Sequence, residues 1–188
     1  GKRTPPSGFD AGEYCLSLGG VPTSFFTDSA NFVEGTGNVA IGHYNSLEND
    51  GFTETNLSSA IGYGNRILGG ARSVSIGGTD TFGGSTRQSV NSNDSIAVGH
   101  INEVNVDYSY VLGRNNKIGT DADNNTFLIG KDLTAGTTGT SDNASVIVGE
   151  NNEELDINNV PFAVGYRDGT PFFIEERGSG ATEGIIRS

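Results

Sequence analysis

Short apolar bursts closed by glycine punctuate this chain, and polar stretches of varying length separate them. Eight such bursts occur: Val39-Ala40-Ile41-Gly42, Ser59-Ala60-Ile61-Gly62, Val74-Ser75-Ile76-Gly77, Ile96-Ala97-Val98-Gly99, Tyr110-Val111-Leu112-Gly113, Phe127-Leu128-Ile129-Gly130, Val146-Ile147-Val148-Gly149 and Phe162-Ala163-Val164-Gly165. Successive closing glycines lie 20, 15, 22, 14, 17, 19 and 16 positions apart, so the unit needs about fourteen residues and loops absorb the surplus. Alternation along a strand puts the residues one and three before glycine on one face. These are large and apolar in nearly every copy, and they are expected to form the buried ladder of a roll. The residue two before glycine is Ala or Ser in five copies. It shares the other face with the glycine, where a second layer or another subunit could approach closely.

A second column follows. Three residues after glycine stand Asn45, Asn65, Asp80, Asn102, Asn116, Asn152 and Asp168, with Leu133 the exception. Asn and Asp tolerate left-handed backbone and bond to nearby backbone, so this column predicts the repeat turn. An apolar residue often returns two positions later, as in Leu47, Ile67, Phe82, Val104 and Ile118. Each unit therefore reads as strand, tight turn, second short strand and variable loop, too short to hold a helix. The fold expected is all-β: a parallel β-roll or β-solenoid of about eight short rungs, on the order of 40 Å long.

The ends depart from this rhythm. Residues 1–35 are expected to form an N-terminal arm and cap, with Pro5 and Pro6 in the arm. Phe9, Tyr14, Leu16, Leu18, Phe25, Phe26 and Phe32 would supply apolar cover for an open strand edge. Residues 36–166 are the repetitive body. Residues 167–188 are expected to close the far end with one strand, Phe172 to Ile174, before a flexible exit through Gly178-Ser179-Gly180-Ala181.

Composition narrows the partners. Only 34% of residues are hydrophobic and 29 are glycine, which suits a thin core one element wide. The net charge of -12 argues against nucleic acid and against an anionic membrane surface. No apolar run is long enough for a membrane-spanning helix. Cys15 is the one cysteine, so no internal disulfide forms, and the absence of methionine is expected of a processed product or a piece of a longer chain.

The units Ala40-Ile41-Gly42-His43-Tyr44-Asn45, Ala60-Ile61-Gly62-Tyr63-Gly64-Asn65 and Ala97-Val98-Gly99-His100-Ile101-Asn102 carry an A-I-G-x-x-N pattern. This resembles the head repeat of YadA-like trimeric adhesins, which bacteriophage tail fibres share, over about residues 36 to 166. The resemblance implies an intertwined or side-by-side homotrimer. It also implies an extracellular, virion-borne tail-fibre head that binds a host-surface glycan or protein receptor, alongside other fibre or virion proteins. A bacterial surface adhesin head and a purely structural fibre spacer are the alternatives. No neck motif, heptad stalk or anchor barrel follows the last repeat, and a fibre precursor would be expected to carry a self-cleaving chaperone beyond Ser188.

No catalytic constellation emerges, and no enzyme activity, cofactor or metal is expected. His43 and His100 occupy a column shared with Tyr63, Gly78, Arg114, Lys131, Glu150 and Tyr166, whose mixed chemistry suits a solvated turn. Asp121, Asp123 and Asn125 have the opening spacing of a calcium loop, but Thr126 and Asp132 stand where Gly and Glu would be needed. Four N-x-S/T sequons, at Asn56, Asn93, Asn124 and Asn143, are what chance gives in an Asn- and Ser-rich chain. The insertions Glu48 to Leu57, Gly78 to Asn93 and Asp132 to Ser145 are the expected contact loops.

Overall fold

The computed structural model describes residues 15–19, 31–79, 87–120, 122, 124–136, 146–150, 162–166, 172–175 and 185–187. The protein is an all-β solenoid of about 6 turns, with parallel strands stacked in two sheets and no helix among the described residues. The long sheet stacks Leu16–Leu18, Val39–His43, Ser59–Tyr63, Val74–Gly78, Ile96–His100, Tyr110–Arg114, Phe127–Lys131, Val146–Glu150 and Phe162–Tyr166 in parallel. The short sheet stacks Phe32–Val33, Ser46–Glu48, Arg66–Leu68, Ser89–Val90, Glu103–Val104, Lys117–Ile118 and Thr134–Ala135. All eight glycine-closed bursts lie in the long sheet, glycine paired to glycine, from Gly42↔Gly62 to Gly149↔Gly165. The turns carrying both sheets run from Leu16 to Ala135; beyond them the long sheet continues alone among the described residues.

The inward face is the reverse of the one expected. The residue two before glycine points inward: Ala40, Ala60, Ser75, Ala97, Val111, Leu128 and Ile147 are all buried. The large aliphatics one and three before glycine face outward and are half-buried or exposed. The reason is the width of the coil. The short sheet fills the interior with Leu47, Ile67, Val90, Val104 and Ile118, all at 0% exposure. An alanine opposite such a residue completes the layer at native density, and an isoleucine would overfill it. Where the returning residue shrinks to Ala135, its partner within the turn grows to Leu128, so volume is conserved across the core.

The turn chemistry also differs from expectation. The left-handed residue at the first corner is the one before the Asn column: Tyr44, Gly64, Ile101, Asn115 and Asp132 have φ of 57, 69, 54, 54 and 56°. A second left-handed corner, five residues before the closing glycine, holds Gly37, Leu57, Arg72, Asp94, Tyr108 and Asn125. Most of these are not glycine, and for Ile101 the conformation is a costly one. Interstrand bonding through the corners sustains it. Gly64, Ile101, Asn115 and Asp132 each donate their N–H to a carbonyl of the preceding turn, as do Leu57, Arg72, Asp94, Tyr108 and Asn125.

The repeat also starts earlier than residue 36. Leu16, Ser17 and Leu18 pair with Val39, Ala40 and Ile41. Gly19 has the φ of a repeat glycine, 110°, and a Cβ on it would overlap the Gly42 carbonyl. Leu16 to Gly19 is thus another copy, part of the region expected to be a cap. At the far end two strands, not one, follow the repeats: Phe172–Glu175 pairs antiparallel with Phe162–Tyr166, and Ile185–Arg187 adds antiparallel to it. Gly178 to Ala181, expected as a flexible exit, lie outside the described residues. The other expected cap residues, Phe9, Tyr14, Phe25 and Phe26, lie outside the described residues.

Candidate functional site: polar spines inside, an apolar face outside

Stacking distance dictates the glycine column. Gly42, Gly62, Gly77, Gly99, Gly113, Gly130 and Gly149 all have φ between 111 and 150°. From Gly42 to Gly130, a Cβ would overlap the carbonyl oxygen of the glycine in the next turn. Both the conformation and the space exclude a side chain, and the cost is paid once per turn along the rod. Gly165 holds its register opposite Gly149.

The Asn column, expected as a turn, is an internal spine. Asn45, Asn65, Asn102 and Asn116 are 0 to 1% exposed. Asn45 donates its backbone N–H and Nδ2 to Oδ1 of Asn31, and Asn65 does the same to Asn45. Asn116 repeats the arrangement on Asn102. Each Nδ2 also bonds the glycine carbonyl of the next turn, and those of Asn45, Asn65 and Asn102 bond the carbonyl four residues back, as Asn65 does to Gly77 and Ile61, both at 3.1 Å. Buried amides are tolerated because their groups are matched by donors and acceptors of the neighbouring turns. Gln88, not Asp80, occupies the fourth place in this spine: its Nε2 reaches Oδ1 of Asn65 at 3.1 Å, and Nδ2 of Asn102 reaches its Oε1 at 3.2 Å. Val90 likewise fills the place assigned to Phe82. Asp80, Phe82 and Asn152 lie outside the described residues. The spine ends where Leu133 offers only its backbone N–H to Asn116.

A parallel hydroxyl spine was missed in the sequence. Four residues before glycine stand Asn38, Ser58, Ser73, Ser95, Ser109 and Thr126, every one 0% exposed. Each from Ser73 onward donates its N–H to the hydroxyl of the previous turn, at 3.0 to 3.2 Å. The hydroxyls of Ser58, Ser73 and Ser95 donate in turn to Gly70, Ser92 and Val106 carbonyls. The signal was present, since Asn, Ser or Thr precedes seven of the eight bursts.

With amides and hydroxyls inside, the outer face of the long sheet carries apolar groups. Leu18, Ile41, Ile61, Ile76, Val98, Leu112, Ile129, Val148 and Val164 form one row; Leu16, Val39, Val74, Ile96, Tyr110, Phe127 and Val146 form most of its neighbour. Within it Leu18 is 51% exposed and Ile76, Leu112 and Ile129 are 37 to 40% exposed, while the Tyr110 and Phe127 rings meet edge to face at 6.1 Å. A contiguous apolar stripe along the long sheet differs from scattered surface aliphatics, which need no explanation.

The polar candidates do not converge. His43 is exposed and His100 half-buried at the margin of this face, in turns separated by two others. No cluster of three potential metal ligands occurs among the described residues. Asp121 and Asp123 lie outside them, and Asn125 is a corner residue whose N–H bonds the Asp107 carbonyl. Cys15 is half-buried in the place of the hydroxyl spine, its thiol directed at the Gly35 carbonyl at 3.5 Å. Of the expected contact loops, Glu48 to Leu57 is held by Asp50, whose Oδ1 accepts the N–H groups of Phe52 and Thr53. Those two bonds hold the Asp50 carboxyl below its ordinary value. Phe52 at its tip is fully exposed. Gln88 to Asn93, counted in the second loop, belongs to the coil.

Comparison with protein-family models, curated proteins and solved structures found no match.

Proposed function

We propose that this chain is the rigid, non-enzymatic head of a homotrimeric surface-attachment fibre, as the resemblance to YadA-like head repeats in tail fibres implies. The apolar outer face of the long sheet carries this reading. Three copies turned inward on that face around a three-fold axis would bury the stripe and leave the short sheet and the loops outside. Closed cyclic symmetry is the common solution for such a face, because it leaves no sticky edge. A trimer also multiplies weak receptor contacts into useful avidity. On this reading the protein is extracellular, borne on a virion or, alternatively, on a bacterial surface, and a host glycan or protein receptor is its ligand.

Light scattering tests the assembly. A mass near three times 19.6 kDa is expected for the folded protein, collapsing to one chain in denaturant. Leu112→Asp places a charge in the middle of the stripe and is expected to give folded monomers. A wild-type monomer at micromolar concentration would overturn the reading. Attachment is tested by binding of labelled trimer to intact host cells, competed by unlabelled trimer; no saturable binding to any surface would leave only a structural rod.

A further inference from the structure

The short sheet presents the opposite chemistry. Its outward column places Arg66, Ser89, Glu103 and Lys117 side by side in successive turns. Ser89 is the smallest member, so the column is notched between Arg66 on one side and Glu103 with Lys117 on the other. The notch opens a cleft of about 400 Å³, whose lining includes Arg66, Arg87, Ser89, Asn91, Glu103 and Lys117. That volume accommodates one or two sugar rings.

The charge in this cleft runs against the molecule. The chain holds 23 acidic and 11 basic side chains, yet three basic groups and one acidic group line this cleft. The acidic one and Lys117 pair with each other, so the basic excess of the cleft rests on the two arginines. Glu103 meets Lys117 at 3.0 Å through Oε2 and accepts Asn105 Nδ2 at 2.8 Å through Oε1. Arg66 is steadied by Glu48 through a single nitrogen, Nη2, at 3.2 Å, and the rest of its donor fork has no partner among the described residues. Arg87 is exposed and forms no ion pair among the described residues. A guanidinium fork beside a hydroxyl and an amide is the donor set that receives a carboxylate or phosphate oxygen pair together with sugar hydroxyls.

We infer that the cleft between Arg66, Arg87 and Lys117 binds an anionic sugar, its carboxylate or phosphate received by Arg87 and Arg66 and its hydroxyls by Ser89 and Asn91. This rests on the reading of the chain as an attachment head and names the class of glycan it takes. A three-fold assembly on the long sheet leaves three such clefts facing outward.

Calorimetric titration of the intact protein with trigalacturonate, with its methyl ester and with galactose 6-phosphate tests it. The acid is expected to bind and the uncharged ester to bind at least tenfold more weakly, with affinity for the acid falling as salt rises. Binding of the sugar phosphate would widen the class to phosphosugars. Arg87→Ala, an exposed position, is expected to weaken the acid about tenfold or more without changing the melting temperature. Arg72→Ala, an exposed arginine outside the cleft, is expected to leave it unchanged. Equal binding of acid and ester, no binding of either anionic probe, or an Arg87→Ala variant that binds as tightly as wild type would each overturn the inference. Such a failure is distinct from failure of the attachment reading, since a trimer with saturable cell binding that survives Arg87→Ala keeps the head and loses only the cleft.

Discussion

The two halves of the solenoid have different interiors on one backbone. From Val39 to Val104 the inner column of the long sheet is Ala40, Ala60, Ser75 and Ala97, beside a spine of Asn45, Asn65, Gln88 and Asn102. From Tyr110 onward the column grows to Val111, Leu128 and Ile147, and the amide spine stops at Leu133. The turns stack in the same register in both halves, glycine on glycine. Turn geometry is therefore set by features common to both: the glycine column, the left-handed corners and the hydroxyl spine. The filling is interchangeable so long as volume and hydrogen bonding are satisfied, which is why the satisfied amides of the first half give way to aliphatics after Asn116.

The largest expected effect would break the idea of a shared frame. Gly77→Ala in the polar half and Gly113→Ala in the apolar half should each cost about 4 kcal/mol or more, because each forces a Cβ onto a carbonyl at an unfavourable φ. Urea unfolding reads the cost; a tolerated alanine in either half would show that the halves do not stack under the same constraint.

Next in size is the filling itself. Asn65→Leu removes the Nδ2 donor to Asn45 Oδ1 and the acceptor for Ser75 and Gln88, and is expected to cost about 3 kcal/mol with loss of amide protection in adjacent turns. Leu128→Ala should cost about 3 kcal/mol through the cavity it leaves. Hydrogen exchange separates the two: the first should loosen turns on both sides, the second chiefly its own. Matching exchange patterns would mean that the spine carries no coupling between turns beyond ordinary packing.

The smallest effect is electrostatic and lies on the outer corners. The Arg72 guanidinium hydrogen-bonds Asp94 and holds its carboxyl below the ordinary value, and Asn115 with Lys131 does the same for Asp132. A depressed carboxylate contributes stability that is complete above its unfolded value and is lost as pH falls through the folded one. Acid titration below about pH 4 should therefore cause a slight loss of thermal stability. Arg72→Ala is expected to leave the melting temperature nearly unchanged at neutral pH, as removal of exposed ion pairs does. A melting temperature that falls steeply on this single change would assign the corners more of the frame's stability than the glycines leave for them.

Legibility in the sequence followed the period of each feature. The burst-and-glycine rhythm recurs at nearly fixed columns, so strands, parallel stacking and the all-β class were readable without coordinates. Leu16-Ser17-Leu18-Gly19 went unread because its spine residue, Asn31, stands twelve positions after the glycine rather than three. Gln88 was hidden the same way, behind an insertion and a different residue type. The basic cleft joins residues from separate turns that share no motif, and only the register between turns brings Arg66, Ser89 and Lys117 together.

The sequence by itself determined the repeating unit, its minimum length and the places where no side chain fits, because backbone conformation and stacking are local and recur each turn. It also separated two alternating sets of residues on every long strand. Which set faces in was decided by the tertiary structure. Hydrophobicity alone points the isoleucines inward, but the interior is bounded by a second sheet that already supplies Leu47, Ile67 and Val104. The space left across it admits alanine beside a hydrogen-bonded asparagine, and the larger aliphatics are turned outward onto the face proposed to meet its copies.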